Sequence, residues 1–234
     1  AIVKVHGGAW IQGSRSGHSD WNRWLNRLGY VVFDIEYALP PHADWRSEVA
    51  DVKCALRWVR SHASTYHVDP SRISTMGYSA GGNLAMLAAY AESDPRLPAS
   101  CGTSPVAVRS VINLYGPTDL TQLFRASGSR AYIDRALERY IGGTPSAFPG
   151  RYRALSPISH VTARTPPTIT LIGGSDRIVP VEQARVLDAA LARAGVPHPT
   201  YVLPATDHGF DVDWHGLATQ LARGVLQRFL ARYG

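Results

Sequence analysis

The chain is poor in lysine and sulfur, and it has no long apolar run. Lys4 and Lys53 are the two lysines among 24 basic residues, so the formal charge of +6 rests almost wholly on arginine. Those arginines are scattered, with no run of four or more Lys/Arg, which gives nucleic-acid binding little support. No apolar stretch approaches the roughly 20 residues that span a bilayer, and no secretory leader is visible. The chain opens instead inside an apolar run, Ala1-Ile2-Val3-Lys4-Val5, without an initiator Met. It therefore reads as a piece of a longer protein, which leaves the compartment open with a slight lean to the cytoplasm. Two cysteines are too few for a disulfide framework. Cys54 falls among apolar neighbours in a helical pattern and reads as a buried free thiol. Cys101 lies in a Pro/Ser loop, and a bridge between the two stays open. No H-x-x-x-H or C-x-x-C occurs, so no metal is expected. Gly142-Gly143 and Gly173-Gly174 lack the spacing of a phosphate or dinucleotide loop.

What the chain does have is alternation. Its 234 residues, 45% hydrophobic and 18% charged, fit one α/β domain with a substantial core. Apolar runs at 1–6, 30–35, 72–76, 106–115, 168–172 and 200–203 read as six strands. Helical periodicity lies between them, strongest at Trp45, Val49, Val52, Leu56 and Val59, then at 80–91, 181–194 and 214–233. Such alternation predicts a mostly parallel sheet with helices on both faces. Residues 116–165 break the pattern. This segment is irregular, with one short helical piece around 131–140, and reads as an insertion or cap-like segment over a binding site.

In parallel sheets the ligand site lies beyond the carboxyl ends of the strands, so chemistry is sought there. After the first strand comes His6-Gly7-Gly8-Ala9-Trp10, whose small residues allow backbone N–H groups to point into a cavity. After the third comes Gly77-Tyr78-Ser79-Ala80-Gly81, a G-x-S-x-G between a strand and a helix. Asp176 follows the fifth strand in Ser175-Asp176-Arg177-Ile178-Val179-Pro180, and His208 follows the sixth in Asp207-His208-Gly209-Phe210. Serine, carboxylate and histidine thus stand in the order Ser, Asp, His.

These four motifs resemble those of the α/β-hydrolase esterases and lipases, among them hormone-sensitive-lipase-like and bacterial feruloyl/acetyl-esterase-type carboxylesterases. The likeness runs over nearly the whole chain. It departs in reading H-G-G-A for H-G-G-G, and in lacking the family's first two strands. The resemblance implies an α/β-hydrolase fold and a catalytic triad of Ser79, His208 and Asp176. It implies an oxyanion hole from the N–H groups of Gly8, Ala9 and Ala80, with His6 supporting the loop and Gly7 shaping its turn. It also implies a small-molecule ester substrate, short to medium in its acyl or aryl part and including polysaccharide decorations, and no cofactor. An amidase, peptidase or formamidase-like enzyme on the same machinery is the alternative. A binding protein on a hydrolase scaffold is a more distant one, since all three triad residues are present. The oligomeric state is left open.

Bland roles compete for several of these residues. Asp207, Asp211 and Asp213 stand too near His208 in sequence to match a separate acid loop, and Asp119 reads as a helix cap. Glu36 reads as structural. Trp10 and Tyr78 adjoin the catalytic groups and are candidate substrate-binding residues, ahead of Phe210 and Trp214. His18, His42, His62, His67, His160, His198 and His215 lack the strand-end context of His208.

Overall fold

The computed structural model describes residues 1–41, 43–102, 104–126 and 131–234. Six strands form one sheet: β1 (Ile2–Val5), β2 (Val32–Ile35), β3 (Ser74–Tyr78), β4 (Val111–Leu114), β5 (Thr168–Gly173) and β6 (Thr200–Leu203). Their order is β2-β1-β3-β4-β5-β6, and every pairing is parallel. Parallel strands need crossovers, and the helices α1 (Ser19–Arg27), α2 (Ser47–Ser61), α3 (Ala80–Tyr90) and α7 (Glu182–Arg193) serve four of the five, the segment between β4 and β5 serves the other, and α8 (Leu217–Tyr233) closes the chain.

Side chains alternate across the sheet, and each face buries its own core. Ile2, Met76, Ile112 and Leu114 pack with Trp21 and Leu25 of α1 and Leu226 and Phe229 of α8. Val3 and Val5 pack on the other face with Val49, Val52 and Leu56 of α2 and Leu84 and Leu87 of α3. Nine successive residues of α3, Ala80 to Ala88, are buried, which explains why this helix is apolar all round.

Three expectations need correction. The fourth strand is Val111–Leu114 and not 106–115, because the chain reaches the sheet only after a loop. The segment 116–165 is not irregular with one helical piece. It holds α4 (Leu120–Ala126), α5 (Ala131–Ile141) and α6 (Pro149–Ala154), then a 3-10 turn at Pro157–His160. Cys54 is not a free thiol but is bridged to Cys101, 47 residues away. The Arg57 side chain donates to the carbonyls of Cys101, Gly102 and Ser104, and this ties the loop against α2. The two Cα atoms then stand 5.2 Å apart, within reach of a disulfide.

Candidate active site

The strand order reverses between β1 and β3, and the loops leaving these two strands diverge there to open a crevice. The first residue past β3 is Ser79, at φ 55° and ψ −127°, a region that L-residues rarely occupy. The flanking glycines make that turn possible. A Cβ on Gly77 would collide with the carbonyl of Gly81, and one on Gly81 with the carbonyls of Val5 and His6. Strain is concentrated here. Of the seven non-glycine residues with positive φ among the described residues, Ala9, Trp10, His18, Ser79 and Tyr115 all line the same cavity.

That cavity measures about 520 Å³. Ser79 and His208 lie in its wall with Gly8, Ala9, Tyr78 and Tyr115. His208 Nε2 stands 2.9 Å from Ser79 Oγ, and its Nδ1 stands 2.8 Å from Asp176 Oδ2. The other carboxylate oxygen of Asp176 accepts from the N–H groups of Ile178 and Val179, each at 2.8 Å. A carboxylate only accepts, so Nδ1 of His208 carries the hydrogen and Nε2 is left to take the hydroxyl proton of Ser79. The structure thus brings Ser79, His208 and Asp176 into one hydrogen-bonded chain.

The loop after β1 turns at Gly8 (φ 124°), Ala9 (φ 50°) and Trp10 (φ 61°). Among the described residues the N–H groups of Gly8 and Ala9 make no backbone hydrogen bond. Ala80 opens α3, where the first N–H groups have no intrahelical acceptor. Ala in place of Gly at position 9 supplies the same N–H but adopts a left-handed backbone, a cost of roughly 1 kcal/mol. His6 is buried and stacks on Tyr37 with ring centroids 4.1 Å apart, and the Tyr37 hydroxyl donates to the His6 carbonyl. Its place is beneath the loop.

Trp10 and Tyr78 both line the cavity but are only 2% and 5% exposed. Trp10 stacks on Tyr140 and donates to Asn83, so most of it is packing. Phe210 and Trp214 lie outside the cavity lining, edge-on to Tyr115 and Trp21. Asp119 accepts from the N–H of Gln122 at the start of α4, a cap. Glu36 accepts from the N–H of Arg15. Asp207 clamps the turn before His208. It accepts from the N–H and guanidinium of Arg177 and from the N–H of His208, and these bonds hold its carboxyl down at about 2. His62, His160 and His198 bond to nearby carbonyls outside the cavity. His42 lies outside the described residues.

Four wall and support residues escape sequence reasoning. Asp211 is buried and accepts from His18 Nδ1 at 2.9 Å, from Trp21 Nε1 at 2.8 Å and from the Tyr115 hydroxyl. Burial works against its charge, yet the hydrogen bonds from His18, Tyr115 and Trp21 hold the carboxyl below its usual range. Lys4, fully buried in β1, pairs with Asp34 at 2.8 Å and donates to the carbonyls of Gly17 and His18. Burial lowers its pKa against the pull of Asp34. The available hint for His18 was its place at the end of a Gly13–Gly17 loop directly after the His6–Trp10 motif.

Residues 1–191 match the model of the BD-FAE family. The chain belongs to that family. It is 34% identical over 233 residues to a probable carboxylic ester hydrolase, LipM, of Mycobacterium tuberculosis, covering 98% of this chain and 53% of LipM. It is 35% identical to the esterase LipQ of the same organism, covering 90% of this chain and 50% of LipQ. The chain thus spans about half the length of these curated relatives. The propionate-bound structure of the esterase Est2 from Thermogutta terrifontis superposes with a TM-score of 0.81 at 29% identity. It covers all of this chain and 83% of that one. The family and this likeness identify the parallel sheet with its flanking helices as an α/β-hydrolase fold.

Proposed function

We propose that the chain is a serine carboxylesterase acting on small-molecule esters with short- to medium-chain acyl or aryl groups. The observation that carries this reading is the hydrogen-bonded chain from Ser79 through His208 to Asp176, set on a strained turn. Ser79 Oγ attacks the ester carbonyl as His208 takes its proton, and Asp176 stabilises the imidazolium. The tetrahedral oxyanion rests on the N–H groups of Gly8, Ala9 and Ala80, where each such donor is worth about 10²–10³ in rate. His208 then protonates the departing alcohol. A water activated by His208 attacks the acyl-Ser79 carbonyl, releases the acid and restores the hydroxyl. The names of LipM, LipQ and Est2 support ester over amide chemistry.

We read residues 1–234 as one catalytic domain in which the segment 116–165 supplies a wall of the pocket. Pro117, Leu123, Tyr132 and Ile133 line the cavity from this segment and narrow it with apolar surface. The test is hydrolysis of p-nitrophenyl acetate, butyrate and octanoate beside the Ser79→Ala variant. Turnover of at least the shorter esters by wild type, lost in the variant, is the expected result. A folded wild type inert on all three but active on the matching anilides would move the reading to an amidase.

A further inference from the structure

His6, His18 and His208 all line the cavity, and His18 has no part in the mechanism above or in supporting the glycine loop. Its Nδ1 is committed to Asp211, a carboxylate that is fully buried and already takes two other donors. Nε2 points the other way, and among the described residues it makes no hydrogen bond. It is not sealed in the interior either, since the His18 side chain is 18% exposed and borders the cavity. A polar atom is therefore presented to whatever fills the space beside it.

The residue is held there at some expense. Its backbone is left-handed, at φ 57° and ψ 39°, a region that few non-glycine residues occupy, though histidine enters it more readily than most. Lys4 fixes the segment from below by bonding the Gly17 and His18 carbonyls at 3.2 and 3.0 Å. The imidazole lies against the Tyr78 ring with centroids 4.0 Å apart, and Tyr78 directly precedes Ser79. Position and ring orientation are both fixed before any ligand arrives, which favours binding by removing the need to order the side chain.

The direction follows from Tyr115. Its ring meets the His208 ring with centroids 4.6 Å apart, and its hydroxyl is bonded to Asp211. His18 is thereby linked to the His208 side of the site, where the proton must be handed to the leaving alcohol. Leu123 and Ile133 give the lining apolar surface, whereas His18 adds an imidazole to it. A hydroxyl both gives and accepts a hydrogen bond, so it satisfies Nε2 in either protonation state.

We propose that His18 Nε2 forms a binding point for the alcohol half of the ester, selecting alcohols that carry a free hydroxyl close to the ester oxygen, as a polyol does. The proposal rests on the esterase reading. His18 is a specificity residue here, and the contact is made alike in ground and transition states, so its loss falls mainly on KM.

The test compares 2,3-dihydroxypropyl acetate with propyl acetate, which share an acyl group and a primary leaving alcohol. Wild type is expected to favour the diol in kcat/KM. In His18→Asn the amide nitrogen takes the place of Nδ1, so Asp211 keeps its donor, and Asn tolerates the left-handed backbone. That variant is expected to lower the diol-to-propyl ratio about three- to tenfold, the worth of one hydrogen bond, chiefly through KM for the diol. His18→Gln places an amide where Nε2 was and is expected to retain more of the ratio. Parallel losses on both esters in His18→Asn, or an unchanged ratio, would overturn the proposal. A wild type that cleaves both esters without preference would also overturn it, leaving the esterase reading intact. A folded wild type that cleaves neither would bring both down.

Discussion

His208 and His18 each turn Nδ1 to a fully buried aspartate, at 2.8 and 2.9 Å, and each keeps 18% of its side chain exposed. They part at Nε2. His208 meets the Ser79 hydroxyl at 2.9 Å, whereas His18 lines the cavity and its Nε2 makes no hydrogen bond among the described residues. The aspartates are also held differently. Asp176 is gripped by two backbone N–H groups of its own loop. Asp211 is gripped by side chains from α1, from the end of β4 and from the segment before α1. In the proposed reading a histidine–carboxylate pair is not by itself a catalytic device. What stands at the far nitrogen decides whether it can move a proton or only hold a ligand.

The largest expected effect falls on the first pair. Ser79→Ala, His208→Ala and Asp176→Asn should each lower kcat on p-nitrophenyl butyrate by about 10³-fold or more, measured by steady-state kinetics. A second pair with equal chemical weight would show itself by a similar collapse in Asp211→Asn. The expected result is instead a loss of stability. An amide there removes the buried charge that three donors share and one of its two acceptor oxygens, at about 2–4 kcal/mol. For a chain of this size that lowers Tm by roughly 5–15 °C, with a kcat loss at least 100-fold smaller than that of Asp176→Asn. Tyr115→Phe removes one of the three donors and keeps the ring, so about 1–2 kcal/mol is expected by denaturant titration.

The clamps behind the two histidines separate at low pH. His18 is held from beneath by buried Lys4, whereas the turn of His208 is held by Asp207, whose carboxyl is depressed from 3.8 to about 2. A depressed acid adds stability that is fully present above its unfolded value and is lost as pH falls through the folded one. Between about pH 4 and pH 2 wild type should therefore lose Tm faster than Asp207→Asn, with the two curves converging near pH 2. This is the smallest effect, because Asp207 is partly open to water, which screens its charge.

The same contrast explains what could be read in the sequence. Ser79, Asp176 and His208 each follow a strand, and local glycine and proline chemistry marks all three places. The six strands and the long helices follow from periodicity. Asp211 and His18 are 193 residues apart, and nothing local at either position points to the other. Asp211 lies near enough to His208 in the chain to be set aside as a neighbour of its turn. Lys4 sits inside an apolar strand whose pattern hides it. The helices α4 and α6, seven and six residues long, are too short to complete a readable period. The bridge of Cys54 to Cys101 depends on Arg57 gathering a loop, which composition does not disclose.

In the proposed mechanism Ser79 is the nucleophile and His208 its base. The most direct measurement is mass spectrometry of the folded chain after exposure to an alkyl fluorophosphonate, which phosphonylates an activated serine. One phosphonyl group per chain is expected, on the peptide that holds Ser79, and none in His208→Ala. Labelling of another cavity serine such as Ser14 or Ser16, or no labelling of the folded wild type, would contradict it.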